Sequence, residues 1–169
     1  MGKHMLSTLQ EAGLLQERVA KPSGRNDWQR RRISSTEEVS SAIEVVVAAM
    51  AAEGYSEKEQ FGMCLALEEA LVNAIRHGNC GDRSKEVRLR YYVTGWRALV
   101  EVEDEGAGFD PQQVPDPLTP ENLERPNGRG LLLMRSYMTW IRFNARGNRV
   151  TLCKRRVAEL NQQPGNTSR

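Results

Sequence analysis

Two hydrophobic periods divide the chain. From residue 35 to residue 77, apolar side chains recur every three or four positions, the spacing of helices with one buried face. Val39, Ala42, Ile43, Val46, Val47 and Met50 form the first stripe, and Gly54 closes it. Ser35 or Thr36 is placed to cap this helix, and Glu38 stands three residues after Ser35, as a capping box requires. Ser56 opens a second helix, with Glu57 and Glu59 in the first turn, where the helix dipole favours acids. It is expected to run to about His77, with Gly78 as its terminator. After Gly81 and Asp82 the period falls to two. Val87, Leu89, Tyr91 and Val93 alternate with Arg88, Arg90 and Tyr92, which predicts a strand with one apolar face. Thr94-Gly95-Trp96 reads as a turn into a second strand over residues 97–103, so the pair forms an antiparallel hairpin. An earlier strand is expected over residues 28–34, where Arg30, Arg31 and Arg32 suit a solvated face. A helix over residues 130–138 and strands near 140–145 and 149–156 complete the pattern. Pro111, Pro115, Pro117, Pro120 and Pro126 mark a stretch poor in regular structure and long enough to be a functional loop.

The order strand, helix, helix, hairpin, loop, helix, hairpin is an α+β pattern. It predicts a two-layer sandwich, with a mixed, mostly antiparallel sheet and helices on one face. The domain is expected over residues 28–158. Ahead of it lies an N-terminal extension, residues 1–27, in which Leu6, Leu9, Leu14, Leu15 and Val19 give a helical stripe interrupted by Gly13. A polar break at Pro22, Ser23, Gly24, Arg25 and Asn26 separates the two, so the extension reads as mobile or partner-binding. Residues 159–169 read as a disordered polar tail.

Composition adds exclusions. The 169 residues are 39% apolar and 27% charged, in keeping with one soluble domain. Net charge is +2, from 24 basic and 22 acidic residues, too balanced to argue for nucleic-acid binding. The longest apolar run, residues 45–52, is far short of a membrane span, and no secretory signal is visible. Cys64, Cys80 and Cys153 are odd in number and far apart, which suggests neither a disulfide framework nor a zinc site. A cytoplasmic setting is the expectation.

Three segments carry candidate chemistry. In the first, Glu69 and Asn73 are four residues apart, on one face of the second helix. An amide oxygen can ligate a hard cation such as Mg²⁺, and a carboxylate can orient or deprotonate a nucleophile; a solvated polar face satisfies the same pattern. In the second, a strand delivers Asp104 to the Gly106-Ala107-Gly108 turn. Such an acid can accept a hydrogen bond from an exocyclic amine, and the glycines allow close approach of a flat ligand. Acidic calcium loops and plain turns look alike here. In the third, Gly128, Arg129, Gly130 and Leu131 lead into a helix, whose free N–H groups suit phosphate. A lone Gly-x-Gly is a weak signal, and no P-loop spacing occurs. His77, at the end of the second helix, reads as structural or capping.

In this order and spacing the three segments resemble the N, G1 and G2 boxes of the GHKL ATPase superfamily, which has the Bergerat nucleotide-binding fold. The resemblance covers residues 33–156. Within the superfamily the chain is similar to the anti-sigma-factor serine kinases of bacterial partner-switching systems, through Glu69-Ala70-Leu71-Val72-Asn73-Ala74-Ile75-Arg76-His77-Gly78-Asn79, Asp104-Glu105-Gly106-Ala107-Gly108-Phe109-Asp110-Pro111 and Gly128-Arg129-Gly130-Leu131. The resemblance implies ATP and Mg²⁺ as cofactors. It implies Glu69 as general base, Asn73 as Mg²⁺ ligand, Asp104 as reader of adenine, Gly106 and Gly108 beside the base, and Gly128 and Gly130 by the phosphates. Residues 110–127 correspond to an ATP lid. As partners it implies an anti-anti-sigma-type protein phosphorylated on serine or threonine, a sigma factor held in the unswitched state, and often a second copy of the chain. The alternative is a nucleotide-binding module that sequesters its partner with little or no transfer. One departure bears on the nucleotide: many relatives carry threonine after the glycine that precedes the last strand, whereas here Asn148 follows Gly147 and Thr151 comes three residues later.

Overall fold

The computed structural model describes residues 28–110 and 129–157. The N-terminal stripe, the proline-rich segment and the polar tail lie outside these residues. Five strands and three α-helices form, in the order β1 (Gln29–Ile33), α1 (Val39–Ala52), α2 (Glu57–Asn73), β2 (Val87–Val93), β3 (Arg97–Glu103), α3 (Arg129–Tyr137), β4 (Trp140–Phe143) and β5 (Arg149–Arg155). The sheet runs β1-β2-β3-β5-β4. The architecture is the expected α+β sandwich. Every pairing among the described residues is antiparallel, so no parallel pair accompanies them.

Register explains the two layers. Leu89 pairs with Val102, Val102 with Val150, and Val100 with Leu152, so these side chains share one face. The helices cover that face. Val39, Ala42, Ile43, Val46 and Met50 of α1, and Met63, Ala66, Leu67, Ala70 and Leu71 of α2, meet Ile33, Val87, Leu89, Val100, Val102 and Leu152 in one continuous core. Burying the valine, leucine, isoleucine and methionine side chains among them contributes about 1.5–3 kcal/mol each and fixes the pleat, because a one-residue slip would turn each strand inside out. The opposite face carries Arg88, Arg90, Glu101, Glu103 and Thr151. Its charges pair across strands, Arg90 with Glu101 and Arg88 with Glu103 and Glu105.

The two helix starts differ. The Ser35–Glu38 capping box does not form: residues Thr36–Glu38 make a 3-10 turn, and no side chain caps it. The Glu38 N–H bonds the Ser35 carbonyl at 3.3 Å, while the Ser34 and Ser35 hydroxyls turn to the Glu38 carboxylate instead of to a backbone amide. Ser56 and Glu59 form the full reciprocal box at the start of α2. The Glu59 N–H donates to Ser56 Oγ at 3.3 Å, and the Ser56 N–H donates to Glu59 Oε2 at 2.8 Å. Glu59 is 5% exposed, and its other oxygen accepts the Val157 N–H at 2.7 Å, so the chain leaving β5 is tied to the start of α2.

Burial works against the Glu59 charge, but the Val157 and Ser56 N–H groups and the Ser56 hydroxyl outweigh it, and the carboxyl titrates below its ordinary 4.5. A depressed folded-state pKa means that the stabilisation is fully present above the ordinary, unfolded value and is lost as pH falls from there through the folded one. Glu59→Ala is therefore expected to destabilise the fold by about 2 kcal/mol at neutral pH. Urea unfolding checks this, and the gap from wild type should narrow as pH falls below 4.5.

Candidate functional site

The end of α2, the exit of β3 and the start of α3 meet over one end of the sheet. α2 does not stop at Gly78 by a left-handed turn. It passes into a π-helical turn, Ala74–Gly78, and the positive φ falls later, at Cys80 (56°) and Gly81 (70°). Glycine at position 78 is required for another reason: a Cβ there would overlap the Asp104 carboxyl carbon. That contact joins residues 26 positions apart and is invisible to a helix-terminator rule. The wide π turn also carries Asn79 inward. It is 2% exposed, and its Oδ1 accepts the Glu105 N–H at 2.9 Å.

Asp104 lies one residue beyond β3 and is 9% exposed. Its Oδ1 accepts the Gly106 N–H at 2.8 Å. Gly106 is buried against the Gly78 carbonyl, whereas Gly108 is exposed and takes a φ of 80°. Burial pushes the Asp104 carboxyl above its ordinary 3.8 despite the Gly106 bond and the nearby Arg146 cation. A buried acid short of full compensation is primed to take an external hydrogen-bond donor.

Glu69 and Asn73 face the same region from α2, both half-buried. Asn73 Nδ2 donates to Glu69 Oε1 at 2.9 Å. The amide nitrogen is thereby committed, and the amide oxygen is the atom left to ligate a cation. The start of α3 rests on this pair: a Cβ at Gly130 would overlap the Glu69 carboxylate. Leu131 packs partly buried against the core, and Arg129 is the first residue of α3. Gly128 and the segment expected to act as a lid, beyond Asp110, lie outside the described residues. Among the described residues no three His, Cys, Asp or Glu side chains gather as a metal cluster. Any cation here would rest on Asn73 with help from a ligand's own oxygens, the usual habit of Mg²⁺ beside phosphates.

The β4–β5 turn carries the departure at Asn148. Thr151 lies away from it, in β5. It pairs with Glu101 and Arg142 on the sheet face away from the helices. Asn148 is 7% exposed and bonds the Asp104 backbone. Asn79, Asn148 and Arg146 are thus the site residues that sequence reasoning missed as such. Buried asparagines directly after Gly78 and Gly147 were the available signal. His77 is exposed, and its carbonyl lies near the Cys80 thiol. Cys64 is half-buried.

Comparison with known proteins bears on the domain as a whole. The family model described as the histidine kinase-like ATPase domain matches residues 34–154. The chain is 31% identical over 123 residues to the serine-protein kinase RsbW of Bacillus subtilis, covering 69% of this chain and 77% of that protein. It is 28% identical over 109 residues to the serine/threonine-protein kinase BtrW of Bordetella bronchiseptica, covering 62% of this chain and 77% of the relative. No helix among the described residues is long and apolar enough to cross a membrane.

Proposed function

The chain belongs to the histidine kinase-like ATPase domain family, of the GHKL type, and on that premise we propose that it is a partner-switching protein kinase. It would bind ATP with Mg²⁺ and phosphorylate a serine or threonine of an anti-anti-sigma-type protein. In the unswitched state it would hold a sigma factor, and it would work as a homodimer in the cytoplasm. The observation that best supports this reading is the convergence of Glu69, Asn73 and Gly130 on one side of the site and Asp104, Gly78 and Gly106 on the other. An acid that can receive an amine donor and a carboxylate–amide pair under a helix start are the two ends that a nucleotide triphosphate requires.

Each residue has a physical task. The Asp104 carboxylate accepts from the exocyclic amine of adenine. Gly106 and Gly108 keep the wall beside the base free of side chains, and the start of α3, at Arg129 to Leu131, would offer N–H groups to the phosphates, with Gly128 assigned to the same task from the sequence. Asn73 Oδ1 fits a hard cation, because its Nδ2 is already held by Glu69. When bound, that ion supplies charge neutralisation for the phosphates. Glu69 orients the acceptor hydroxyl and takes its proton. The N-terminal extension, residues 1–27, is assigned to partner binding or dimerisation.

The test is calorimetric binding of ATP and ADP with and without Mg²⁺. Asn73→Ala is expected to weaken Mg²⁺·ATP binding by roughly tenfold or more, the loss of one ligand to a bound cation, and to abolish the difference between Mg²⁺ and EDTA. Folded wild-type protein that binds neither nucleotide would overturn the reading. Binding without transfer to any serine-bearing partner would favour the sequestering module instead.

A further inference from the structure

The turn between β4 and β5 does more than join two strands. The hairpin closes by itself through Asn144 N–H to the Arg149 carbonyl and Gly147 N–H to the Asn144 carbonyl, both at 3.0 Å. Beyond these bonds, Asn148 holds Asp104 at both backbone groups. Its Nδ2 donates to the Asp104 carbonyl at 2.8 Å, and its own carbonyl accepts the Asp104 N–H at 3.0 Å. Its remaining polar atom, Oδ1, accepts from Asn144 Nδ2 at 2.9 Å, and Asn144 Oδ1 accepts the Arg149 N–H at 3.1 Å. Both ends of the side-chain amide are therefore engaged, and the side chain is held in place. Arg146 extends the grip: its guanidinium donates to the Gly106 carbonyl at 2.9 Å and to the Ala107 carbonyl at 3.4 Å.

The Asn148 amide and the Arg146 guanidinium both donate to backbone carbonyls of the loop, at Asp104, Gly106 and Ala107. The strand ladder stops at Glu103, which pairs with Arg149, and Asp104 is the first residue past it. Without a brace, the peptide carrying its carboxylate would be free to pivot. Hydrogen-bond geometry tolerates little angular error, and positioning shells of this kind decide how well a reading group meets its ligand. Asn148 is 7% exposed, and both ends of its amide already hold the turn and the loop, so its hydrogen bonds face protein and not a ligand.

We propose that Asn148, braced by Asn144 and Arg146, is a positioning residue for Asp104 and sets affinity for the base end of the nucleotide without touching it. This rests on the reading of the site as an ATP site. Its signature separates base from phosphate. Wild type, Asn148→Ala, Asn148→Asp and Arg146→Ala are titrated by calorimetry with Mg²⁺·ATP and, in displacement format, with Mg²⁺·tripolyphosphate, which has the phosphates but no base. Asn148→Ala leaves the Asp104 carbonyl unsatisfied and is expected to weaken ATP binding roughly tenfold, with tripolyphosphate affinity unchanged. Asn148→Asp keeps the shape but loses the donor, and should be at least as weak as the alanine variant. Arg146 is exposed, so Arg146→Ala should fold whatever Asn148 substitutions do. It is expected to lose about threefold on ATP alone. Equal losses for both ligands would make the turn a general structural prop and overturn the proposal, as would ATP affinity unchanged in all three variants. Failure of wild type to bind ATP at all would overturn the ATP reading, and this proposal with it.

Discussion

Glu69→Gln is expected to slow phosphoryl transfer by a factor of about 10²–10⁴ while ATP affinity stays within about threefold of wild type. Glutamine is the informative substitution because of what surrounds the carboxylate. Glu69 Oε1 accepts from Asn73 at 2.9 Å, and glutamine retains an oxygen there. Gly130 sits directly on the Glu69 side chain, so a residue of the same shape leaves the start of α3 undisturbed. What disappears is the negative charge and the ability to take a proton from the attacking hydroxyl. Alanine would also unpair Asn73 and open a gap under α3, so its ATP affinity should fall where that of glutamine does not. The measurement is single-turnover transfer from labelled ATP to a serine-bearing partner, beside calorimetry on the same preparations. Transfer at the wild-type rate in the glutamine variant, or joint loss of transfer and ATP binding, would remove Glu69 from the base role.

Asp104→Asn should show the opposite pattern, with ATP binding lost and the fold intact. A hydrogen bond to a buried charged acceptor is worth about 1.5–3 kcal/mol, so the loss is roughly tenfold to a hundredfold or more. Stability should move the other way. Burial raises the Asp104 pKa above its ordinary 3.8, so the folded value lies above the unfolded one. The ionised carboxylate is then a cost to the unliganded fold, carried at neutral pH and relieved as pH falls through the folded value. Asparagine keeps an oxygen for the Gly106 N–H and has no charge to bury. Urea unfolding of the unliganded variant at neutral pH should come at the same or a higher midpoint than wild type, with the two converging at acid pH. Wild-type ATP affinity should weaken on acidification at a higher pH than an ordinary carboxylate would dictate, a titration that the variant lacks. A variant much less stable than wild type would make Asp104 a structural group instead of a ligand-reading one.

The divide between what was legible and what was not follows the range of the forces involved. Hydrophobic periodicity is local, and where it was clear it sufficed: the stripe from Val39 to Met50 became α1, and the alternation from Val87 to Val93 became β2, whereas the 3-10 turn Thr36–Glu38 and the π turn Ala74–Gly78 had no such signal. The capping signals were legible in kind but not in place. Ser35 and Ser56 have the same Glu spacing, yet only Ser56 makes the box, because Val157 and the end of the sheet hold Glu59 against it. Glu69 and Asn73 could be put on one face by counting, and they are in fact bonded.

The sequence alone determined the fold class, the order of elements and where the three candidate segments fall in that order, since these depend on spacing within a few turns or a single strand pair. Only the tertiary structure decided how the segments serve each other. It gave Gly78, the last helical residue, a further task as a seat for Asp104, because the steric limit comes from a side chain 26 positions away. It turned Asn148 from a missing threonine into a brace on the Asp104 backbone. Contacts between distant segments are set by how two layers pack, and packing depends on all the side chains together, so no local pattern in the chain records them.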